Sequence, residues 1–593
     1  MAYASRFYFI FHGASGDYYK IDILQDGFSG TALRRNLGGE PVLRRERNGN
    51  ICGSSLEFLA ECEVDEEFSV LYTTNPIELM VQLKRAATVS ALDTTSEDPS
   101  LVSVIWQGFI ATEMYSAPYI DPPYDVKVIA TDGLGELKNQ TITFTYRAYF
   151  NIPKLASATW TIADWISEIL EKSGSTLPLA FVNTIKTGSD LLETFHISPA
   201  QWGDKTYYAA LEDMMTYLHA RIFQCEINGA ATWLVVRETD IINRMNQGTV
   251  VPDGYASGTY DALSVKTVGS AQSHAVFPVD KLTETISPAK SGLTLKERPN
   301  YYNVVTSGWS NGSVTISGIG NRYWRYNYYR IAGLYNAVVT RTQPWHLQIK
   351  MRNTDSYSVR VEFAIGFYCD STWYYLTENG WITASNYYDA PYDNQGLLIN
   401  AAVNDDIRDI QTFDFEHGPE NIGLHFRPTQ ISIWMWSPDG IYLRDVEANL
   451  YAREIDHLPG IDYTLKITNS GRFEGESISF PFCRGNIEPD LFFLMNGNAK
   501  YDFTSDNDST ADTLPRVILK DYGLSVALPR LKMEGVVNWP YKYNPFLFEI
   551  GGINFNVETF DWAIRAGEVS FSALSLPATS MTITSITTKE ITD

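Results

Sequence analysis

The stretch from Val104 to Lys138, VIWQGFIATEMYSAPYIDPPYDVKVIATDGLGELK, decides the fold prediction. It predicts one strand that ends in Trp-Gln-Gly, then a crossing rich in tyrosine and proline. A second strand follows and ends in Ala-Thr-Asp-Gly-Leu. The pair Asp132-Gly133 is typical of a tight turn, because both residue types tolerate the backbone angles that turns require. The stretch therefore predicts two strands of a sheet and a sharp exit from it.

The residues around that exit also indicate what the stretch does. Leu134 and Leu137 predict a short apolar turn after the second strand. We expect Trp106 and Val128 to lie in the core of a β-barrel, and the Asp-Gly turn to direct the chain into the next domain. No catalytic side chain is needed to explain the stretch, so its predicted role is geometric.

Composition predicts an ordered protein with several domains. The chain has 593 residues, of which 44% are hydrophobic and 13% aromatic, enough for several cores at about 150 residues per domain. Its 46 Lys and Arg against 70 Asp and Glu give a formal charge of −24. So acidic a surface repels nucleic acid and anionic membranes. Basic residues cluster only at Arg34-Arg35 and at 44–47, which we interpret as the solvated rim of a hairpin.

Cysteine usage and hydropathy favour a protein that matures in a reducing cytoplasm. The five cysteines are scattered and form no CxxC pair or His/Cys cluster, so neither a disulfide framework nor a zinc site is predicted. The first residues alternate like a strand and lack the apolar segment of a signal peptide. No window approaches the ~18 apolar residues of a membrane span. We expect no secretion by a signal peptide and no membrane segment.

Residues 150–238 predict a small α+β domain. Apolar residues follow Thr161 at helical spacing, with Asp164 in the first turn and Gly174 at the end. A second helix is predicted near Thr206. The pair Asn228-Gly229 separates two strand-like runs, which is a strong hairpin signal.

The whole chain predicts a mainly β, multidomain fold. It combines hub-type β-barrels, this small α+β domain and an additional jelly-roll-like β-sandwich rich in aromatic residues. The tail from Thr582 to Asp593 is rich in threonine and is expected to be loosely held. The predicted segments are 1–149 (first β-barrel hub domain), 150–238 (two helices and a hairpin), 239–300 (strands returning to a second barrel), 301–456 (aromatic-rich β-sandwich, an insertion) and 457–593 (β-rich part completing the second barrel).

This order of elements resembles the hub or tail-associated proteins of bacteriophage tails. The wording Tyr-Lys-Ile-Asp-Ile-Leu at 19–24 and Ala-Thr-Asp-Gly-Leu-Gly-Glu-Leu at 130–137 is similar to predicted tail proteins of phages and prophages of Bacteroides-type bacteria. The resemblance covers about half of the chain, up to roughly residue 300. The segment 301–456 departs from a minimal hub.

The resemblance implies a structural baseplate hub protein that connects the tail tube to the tail tip. It implies a homo-oligomer, a trimer with pseudo-sixfold barrels, that contacts tube and tip or fibre proteins. DNA would meet the chain only by passing through the lumen, and an acidic lumen would let it slide without sticking. The implied location is the virion, after assembly in the cytoplasm of the host bacterium.

A search for chemistry finds no catalytic, cofactor or metal motif, so we predict neither an enzyme nor a cofactor. The eight histidines form no HExxH pair, and no GxSxG or Walker loop occurs. Gly133-Leu134-Gly135 is a fragment of GxGxxG that we interpret as a turn. The aspartates 506, 508 and 512 have the oxygen ligands that Ca²⁺ takes, but lack the glycine and final glutamate of an EF-hand, so a solvated loop is favoured.

The aromatic residues of the sandwich are the candidate contact site, for a host surface glycan or for a partner protein. If 431–436 is a strand, its two tryptophans share one face with Ser432. Core packing is the simpler explanation, since aromatic rings stabilise sheets. Two further functions stay open: a receptor- or glycan-binding tail protein, and a tail-associated cell-wall hydrolase. The candidate contact residues are Trp373, Tyr375, Trp381, Trp434 and Trp436.

Overall fold

The computed structural model describes residues 3–142, 160–197, 202–297 and 502–577, with gaps at 65–66, 94–97, 99, 115, 203–204, 257–259 and 271. It also describes the strands between 305 and 499 and the strand at 583–591, with side chains only at 462–467 and 586–589. Strands dominate and form several sheets, which confirms the predicted mainly β, multidomain fold. The predicted boundary at 149–150 lies outside the described residues.

The first part of the chain is the N-terminal β-unit. Its elements are β1 Tyr3–His12, β2 Tyr18–Asp26, β3 Leu33–Arg34, β4 Val42–Asn48, β5 Ile51–Cys62, β6 Leu79–Ala86, α1 Val89–Leu92, β7 Ser103–Ile110 and β8 Tyr124–Thr131. Antiparallel ladders run along the path β1–β2–β6–β7–β8–β5. Along β8, Val126, Val128 and Ala130 are buried and alternate with more exposed residues. Trp106 joins them in the core, as the sequence predicted.

A helical unit follows and contains the predicted hairpin. Its elements are β9 Trp160–Thr161, α2 Ile162–Lys172, β10 Leu179–Val182, β11 Lys186–Thr187, β12 Asp190–Leu191, β13 His196–Ile197, α3 Tyr207–Tyr217, β14 Ala220–Ile227, β15 Ala230–Arg237, α4 Ile241–Arg244, β16 Met245–Asn246 and β17 Thr249–Val250. Thr161 and Thr206 cap α2 and α3, each accepting a hydrogen bond from a backbone N–H three residues on. We call β14 and β15, which pair antiparallel across Asn228-Gly229, the central hairpin.

The middle of the chain contains an insertion between two strands that pair with each other in one sheet. Its elements are β18 Val265–Val268, β19 Thr283–Ser287, β20 Gly292–Glu297, β21 Val305–Ile316, β22 Tyr329–Tyr335, β23 Trp345–Asn353, β24 Val359–Cys369, β25 Thr372–Thr377, β26 Gly380–Ala384, β27 Ala401–Val403, β28 Gln411–His417, β29 Gln430–Trp436, β30 Ile441–Ala452, β31 Gly460–Ile467, β32 Glu476–Phe480, β33 Leu494–Met495 and β34 Asn498–Ala499. The strands β21 to β30 form two antiparallel sheets, β21–β30–β23–β28 and β22–β29–β24–β25–β26, with β27 on β24. Glu297 at the end of β20 pairs with Ile461 of β31.

Four later strands join β18 and β19 in the C-terminal β-unit. The last elements of the chain are α5 Leu514–Val526, β35 Arg530–Asn538, β36 Leu547–Ile550, β37 Ile553–Ala563, β38 Glu568–Ser575 and β39 Ile583–Ile591. Of these, β35 to β38 belong to the unit, whereas α5 precedes these strands and β39 pairs with β31. The path β18–β36–β37–β38–β35–β19 defines this unit. Pairing of β4 with β37 joins it to the N-terminal β-unit. Together with the central hairpin and β10, which pairs with β15, they form one hydrogen-bonded network of 17 strands.

Each β-unit returns toward its first strand without a continuous closing ladder among the described residues. In the N-terminal β-unit, Leu33 pairs in parallel with Phe7 of β1, and Leu37 bridges to Ala60 of β5. In the C-terminal β-unit, the segment 276–279 bridges to both β18 and β35. Pro278 in that segment has no N–H to donate to a ladder. In the N-terminal β-unit, Gly38-Gly39 disfavour a strand after Leu37. Short bridges therefore replace full strands in both units. The units are therefore barrel-like sheets rather than the closed barrels that the sequence predicted.

Three sequence predictions for the second half need correction. The segment 457–593 contains α5, which strand-like runs on either side concealed; Thr513 and Pro515 are the start signal. Residues 583–591 of the tail, which was expected to be loosely held, form β39 and pair with β31. Within 239–300, β18 and β19 enter the C-terminal β-unit, but β20 lies in a separate sheet with β31, β32 and β39. The described helices include none long and apolar enough to cross a bilayer.

Candidate functional site

The two motifs of the opening stretch meet through Ser54 on β5. The indole N–H of Trp106 donates to the Ser54 hydroxyl at 2.8 Å, and that hydroxyl donates to the Asp132 carboxylate at 2.9 Å. The backbone N–H groups of Ser54 and Leu134 also donate to Asp132. Burial raises the pKa of Asp132 to about 6, although these hydrogen bonds oppose the rise. Asp132 is thus a buried acceptor that ties two strands to the turn, a role that turn chemistry alone did not reveal.

Two glycines of the motifs sit where no side chain fits. Gly133 has a φ of 85°, and a Cβ there would lie 2.7 Å from the carbonyl oxygen of Ser173, just after α2. A Cβ at Gly108 would lie 2.3 Å from the carbonyl oxygen of Thr131. The turn therefore packs directly against the end of the first long helix, which supports its predicted role in positioning the next unit.

The middle residue of Trp-Gln-Gly binds the central hairpin. The side-chain amide of Gln224 donates to the Gln107 carbonyl oxygen at 2.8 Å. Its carbonyl oxygen accepts from the Gln107 backbone N–H at 3.2 Å. Both residues are buried. Gln224 therefore satisfies the strand backbone at Gln107 as a neighbouring strand would, and it fixes β7 against β14.

Buried ion pairs join the same hairpin to the C-terminal β-unit. Glu238, directly after β15, accepts from Arg221 of β14 at 2.7 Å and from Arg530 of β35 at 2.7 and 3.1 Å. Burial pushes the pKa of Glu238 upward, but the two guanidinium groups together outweigh burial and lower the pKa well below its usual range. Glu238 therefore stays charged, and both arginines are held to it.

A third buried cation joins the hairpin to α5. Arg237, the last residue of β15, donates to Asp240 and to Asp521 of α5, both at 2.6 Å. Its third donor contacts the Leu218 carbonyl oxygen after α3 at 2.8 Å. With all three directions filled, the guanidinium has little freedom to move. On the side of the N-terminal β-unit, Arg85 of β6 binds Glu226 of β14.

The central hairpin is thus the joint between three parts of the structure: the N-terminal β-unit, the C-terminal β-unit and helix α5. Every residue of β14 is buried, and charged side chains occur within apolar strand runs. Buried ion pairs add little net stability, since desolvation of the charges offsets their attraction. Their directional bonds instead fix the relative positions of the groups they join. The sequence signal for this joint was the presence of Arg221, Glu226 and Arg237 inside otherwise buried strands.

The aspartate-rich loop is bound by lysines. Lys520 of α5 lies 2.8 Å from Asp508 and 3.0 Å from Asp512, and Lys186 lies 3.1 Å from Asp506. Lysine ammonium groups thus neutralise the aspartates 506, 508 and 512, which the sequence suggested as possible Ca²⁺ ligands. Within the described ranges, no group of three or more His, Cys, Asp or Glu residues is arranged to hold a metal ion.

The five candidate aromatic residues have described backbones, while their side chains lie outside the described part of the structure. Register pairs Ala364 with Trp434, Gly366 with Tyr375, and Tyr368 with Trp373. Directly paired residues share a face of a sheet, and residues two apart on one strand do too. Trp373, Tyr375, Trp434 and Trp436 therefore occupy positions on one face. Trp381 pairs with Leu376, which places it on the other face.

Comparisons with known proteins leave the family open. No protein-family model matches the chain. No curated protein matches it either. Among solved structures, the xylan-binding CBM22-1 domain of Paenibacillus barcinonensis Xyn10C aligns at 11% identity over 28% of this chain and 99% of that domain, with a TM-score of 0.14.

Two viral structures are also similar in part. The Gx strain of infectious bursal disease virus aligns at 8% identity over 63% of this chain and 51% of that one, with a TM-score of 0.15. The Gt strain aligns at 9% identity over 58% of this chain and 48% of that one, with a TM-score of 0.15. The aligned region thus spans about half the length of the viral chains. TM-scores this low carry no argument about fold or function, so the site is interpreted from its own geometry.

Proposed function

We propose that this chain is a structural protein of a bacteriophage tail hub, which connects the tail tube to the tail tip as a homotrimer. The order of units supports the proposal: a barrel-like β-unit, a helical unit and a second barrel-like β-unit follow one another, as the sequence resemblance implies. Pairing of β4 with β37 sets the two β-units side by side in one chain. Three copies would then supply six such units around an axis.

The observation that carries the proposal is the buried joint at the central hairpin. Glu226, Glu238 and Arg237 bind three different bodies through groups that have little access to solvent. A component that transmits position and force between tube and tip needs fixed angles between its units. The sequence stretch that suggested a geometric role contacts this joint near its start, through Gln107.

The net charge of −24 suits a tail protein around a DNA channel. An acidic lumen would repel phosphate groups, so that DNA slides past without binding. Partners in the particle would be tube and tip or fibre proteins. If the acidic residues of the assembled ring all lay on its outer face, the lumen part of the proposal would be wrong.

Native mass measurement of the purified full-length chain tests the assembly. We expect a species of three times the chain mass of 66.8 kDa, at micromolar concentration and moderate salt. Purified particles from the source host, analysed by peptide mass spectrometry, provide the second arm. A chain that stays monomeric at all concentrations and is absent from particles would contradict the hub proposal.

Glycan binding by the aromatic face is the second candidate function. Four aromatic residues share one face of the sheet by register, and sugar C–H faces stack on such rings. A glycan array probed with the full-length chain tests this. We expect Trp434→Ala to abolish binding, whereas Trp381→Ala, on the opposite face, retains it. Absence of binding by the unaltered chain on a broad array would count decisively against a glycan-binding role.

The expectation that the chain is not an enzyme is tested separately. Zymography on cell walls of the host distinguishes a structural hub from a tail-associated hydrolase. A cleared zone would show lytic activity, which would require a catalytic pair such as two carboxylates across a cleft. We expect no clearing at any amount of protein.

A further inference from the structure

Two loops meet at one end of the N-terminal β-unit. Loop 63–78 joins β5 to β6, and loop 111–123 joins β7 to β8. Cys62 at the end of β5 pairs with Tyr124 at the start of β8. At the other side, Met80 of β6 pairs with Phe109 of β7. Both loops therefore begin and end beside each other, and we call this pair of loops the rim.

The rim exposes large apolar side chains in addition to the buried ones that attach it to the sheet. Phe68 and Leu71 of the first loop are buried, and Phe68 packs on Phe7 with ring centroids 5.0 Å apart. Other apolar residues of the two loops are exposed. More than half of each of the following side chains is exposed, and Tyr119 is fully exposed: Val64, Tyr72, Met114, Tyr119 and Ile120. Exposed large apolar groups gathered on adjacent loops mark a contact surface.

The rim is also acidic and lacks cations of its own. The described residues of the two loops include five Asp and Glu residues and no Lys or Arg. The neighbouring cation Arg35 donates to Glu67 at 2.6 Å. Lys127 of β8 lies 2.7 Å from Glu57. The exposed acids Glu113 and Asp121 are thus not neutralised by these two cations.

Backbone contacts hold the described residues of the second loop to its own sheet. The backbone N–H of Ala111 donates to Ile129 at 2.9 Å, and that of Met114 donates to Ala111 at 3.0 Å. Ser116 forms a bridge with Lys127 of β8. Prolines at 118, 122 and 123 restrict the backbone between these points. A restricted loop loses less conformational entropy on binding, which favours a specific contact.

We propose that the rim binds a different protein through a surface that is both apolar and basic. Charge complementarity selects that partner class, because an acidic aromatic surface excludes an acidic one. A second copy fits poorly, since the basic cluster of this chain is engaged internally: Arg34 binds Asp93, Arg44 binds Glu57 and Arg47 binds Glu558. The proposal goes beyond the tail-hub function, and its test does not depend on it.

Binding between purified proteins tests the proposal. Each protein encoded by the genes adjacent to this one is produced and measured against the full-length chain by biolayer interferometry. We expect one with a basic contact surface to bind, and its affinity to fall as salt rises. The double variant Tyr119→Ser/Ile120→Ser should weaken binding at least tenfold, because exposed aromatic groups at interfaces act as hot spots.

The matched control is Leu101→Ser. Leu101 is also more than half exposed, but it lies beside Ser103, which pairs with Arg85 at the opposite end of the sheet. We expect this variant to bind like the unaltered chain. The proposal is overturned if no adjacent protein binds, if the double variant binds as tightly as the control, or if the rim contact proves to be a second copy. Each result stands whether or not the chain is found in particles.

Discussion

Arg85 of β6 and Glu226 of β14 form two parallel hydrogen bonds of 2.7 and 2.9 Å across the boundary between the N-terminal β-unit and the central hairpin. Both side chains are buried, and Arg85 also donates to the Lys542 carbonyl oxygen at 2.8 Å. One guanidinium therefore touches the N-terminal β-unit, the hairpin and a loop of the C-terminal β-unit. This arrangement defines the joint on which the proposed structural role depends.

Glu226→Gln should destabilise the protein by about 3 to 5 kcal/mol, because it leaves the buried Arg85 charge with only the Asp17 carboxylate, 3.9 Å away, to oppose it. The measurement is the midpoint of urea unfolding of the full-length chain. Glu534→Gln is the control, since Glu534 forms an exposed pair with Lys532 and should cost less than about 1 kcal/mol. Equal effects of the two substitutions would contradict the importance of the buried pair.

Gln224→Leu should leave the backbone N–H and carbonyl oxygen of Gln107 buried without their side-chain partner. Each unpaired group should lower the free energy of unfolding by about 1 to 3 kcal/mol. Hydrogen exchange at the Gln107 amide should accelerate strongly. Gln140→Leu provides the comparison, because Gln140 donates from an exposed position to the Lys172 carbonyl oxygen at 2.9 Å. Unchanged exchange at Gln107 in the Gln224 variant would show that the side-chain amide does not replace a strand neighbour.

Gly133→Ala should destabilise the turn, since its φ of 85° disfavours a side chain and the new Cβ would meet the Ser173 carbonyl oxygen. The left-handed conformation alone costs about 1 to 2 kcal/mol, and the contact adds to it. Gly135→Ala is the matched control two residues away, where a Cβ would meet nothing within 4 Å. Thermal melting of both variants decides the matter; a Gly133 variant as stable as the control would disprove the close contact.

Asp132 predicts a pH dependence of stability with a definite sign. Its pKa in the folded chain is about 6, above the ordinary value of 3.8, so the folded state holds this proton more tightly. Its contribution to stability is therefore largest below pH 4 and falls as pH rises to about 6, by on the order of 3 kcal/mol. The difference in unfolding free energy between the unaltered chain and Asp132→Asn, measured from pH 4 to 7, should show this fall. A difference that rises with pH would contradict it.

Much of the fold was predictable where local chemistry decides it. Thr161 and Thr206 cap helices, Asn228-Gly229 turns the hairpin, and the alternation at Val126 and Val128 gives a half-buried strand. These signals act within a few residues. Helix α5 is not evident from the sequence, because its apolar residues and its start at Thr513 lie among strand-like runs.

Charged residues within the buried strands could have indicated the joint, but their pairing was not predictable, because the partners are far apart in the chain. Arg530 reaches Glu238 across 292 positions, and Arg237 reaches Asp521 across 284. No spacing rule connects such residues, and charge within a strand is ordinarily interpreted as a solvated face. The aromatic face is an intermediate case: alternation along β29 was visible in the sequence, but the alignment of Trp434 with Tyr375 required the register of three strands.

Cryo-electron microscopy of intact particles from the source host tests the central claim most directly. The account predicts density for three copies of this chain around the tail axis, between tube and tip, with the two β-units of each copy contributing to one ring. Particles with complete tails that contain no copy of the chain, or that contain it in a different position and without threefold symmetry, would contradict the account.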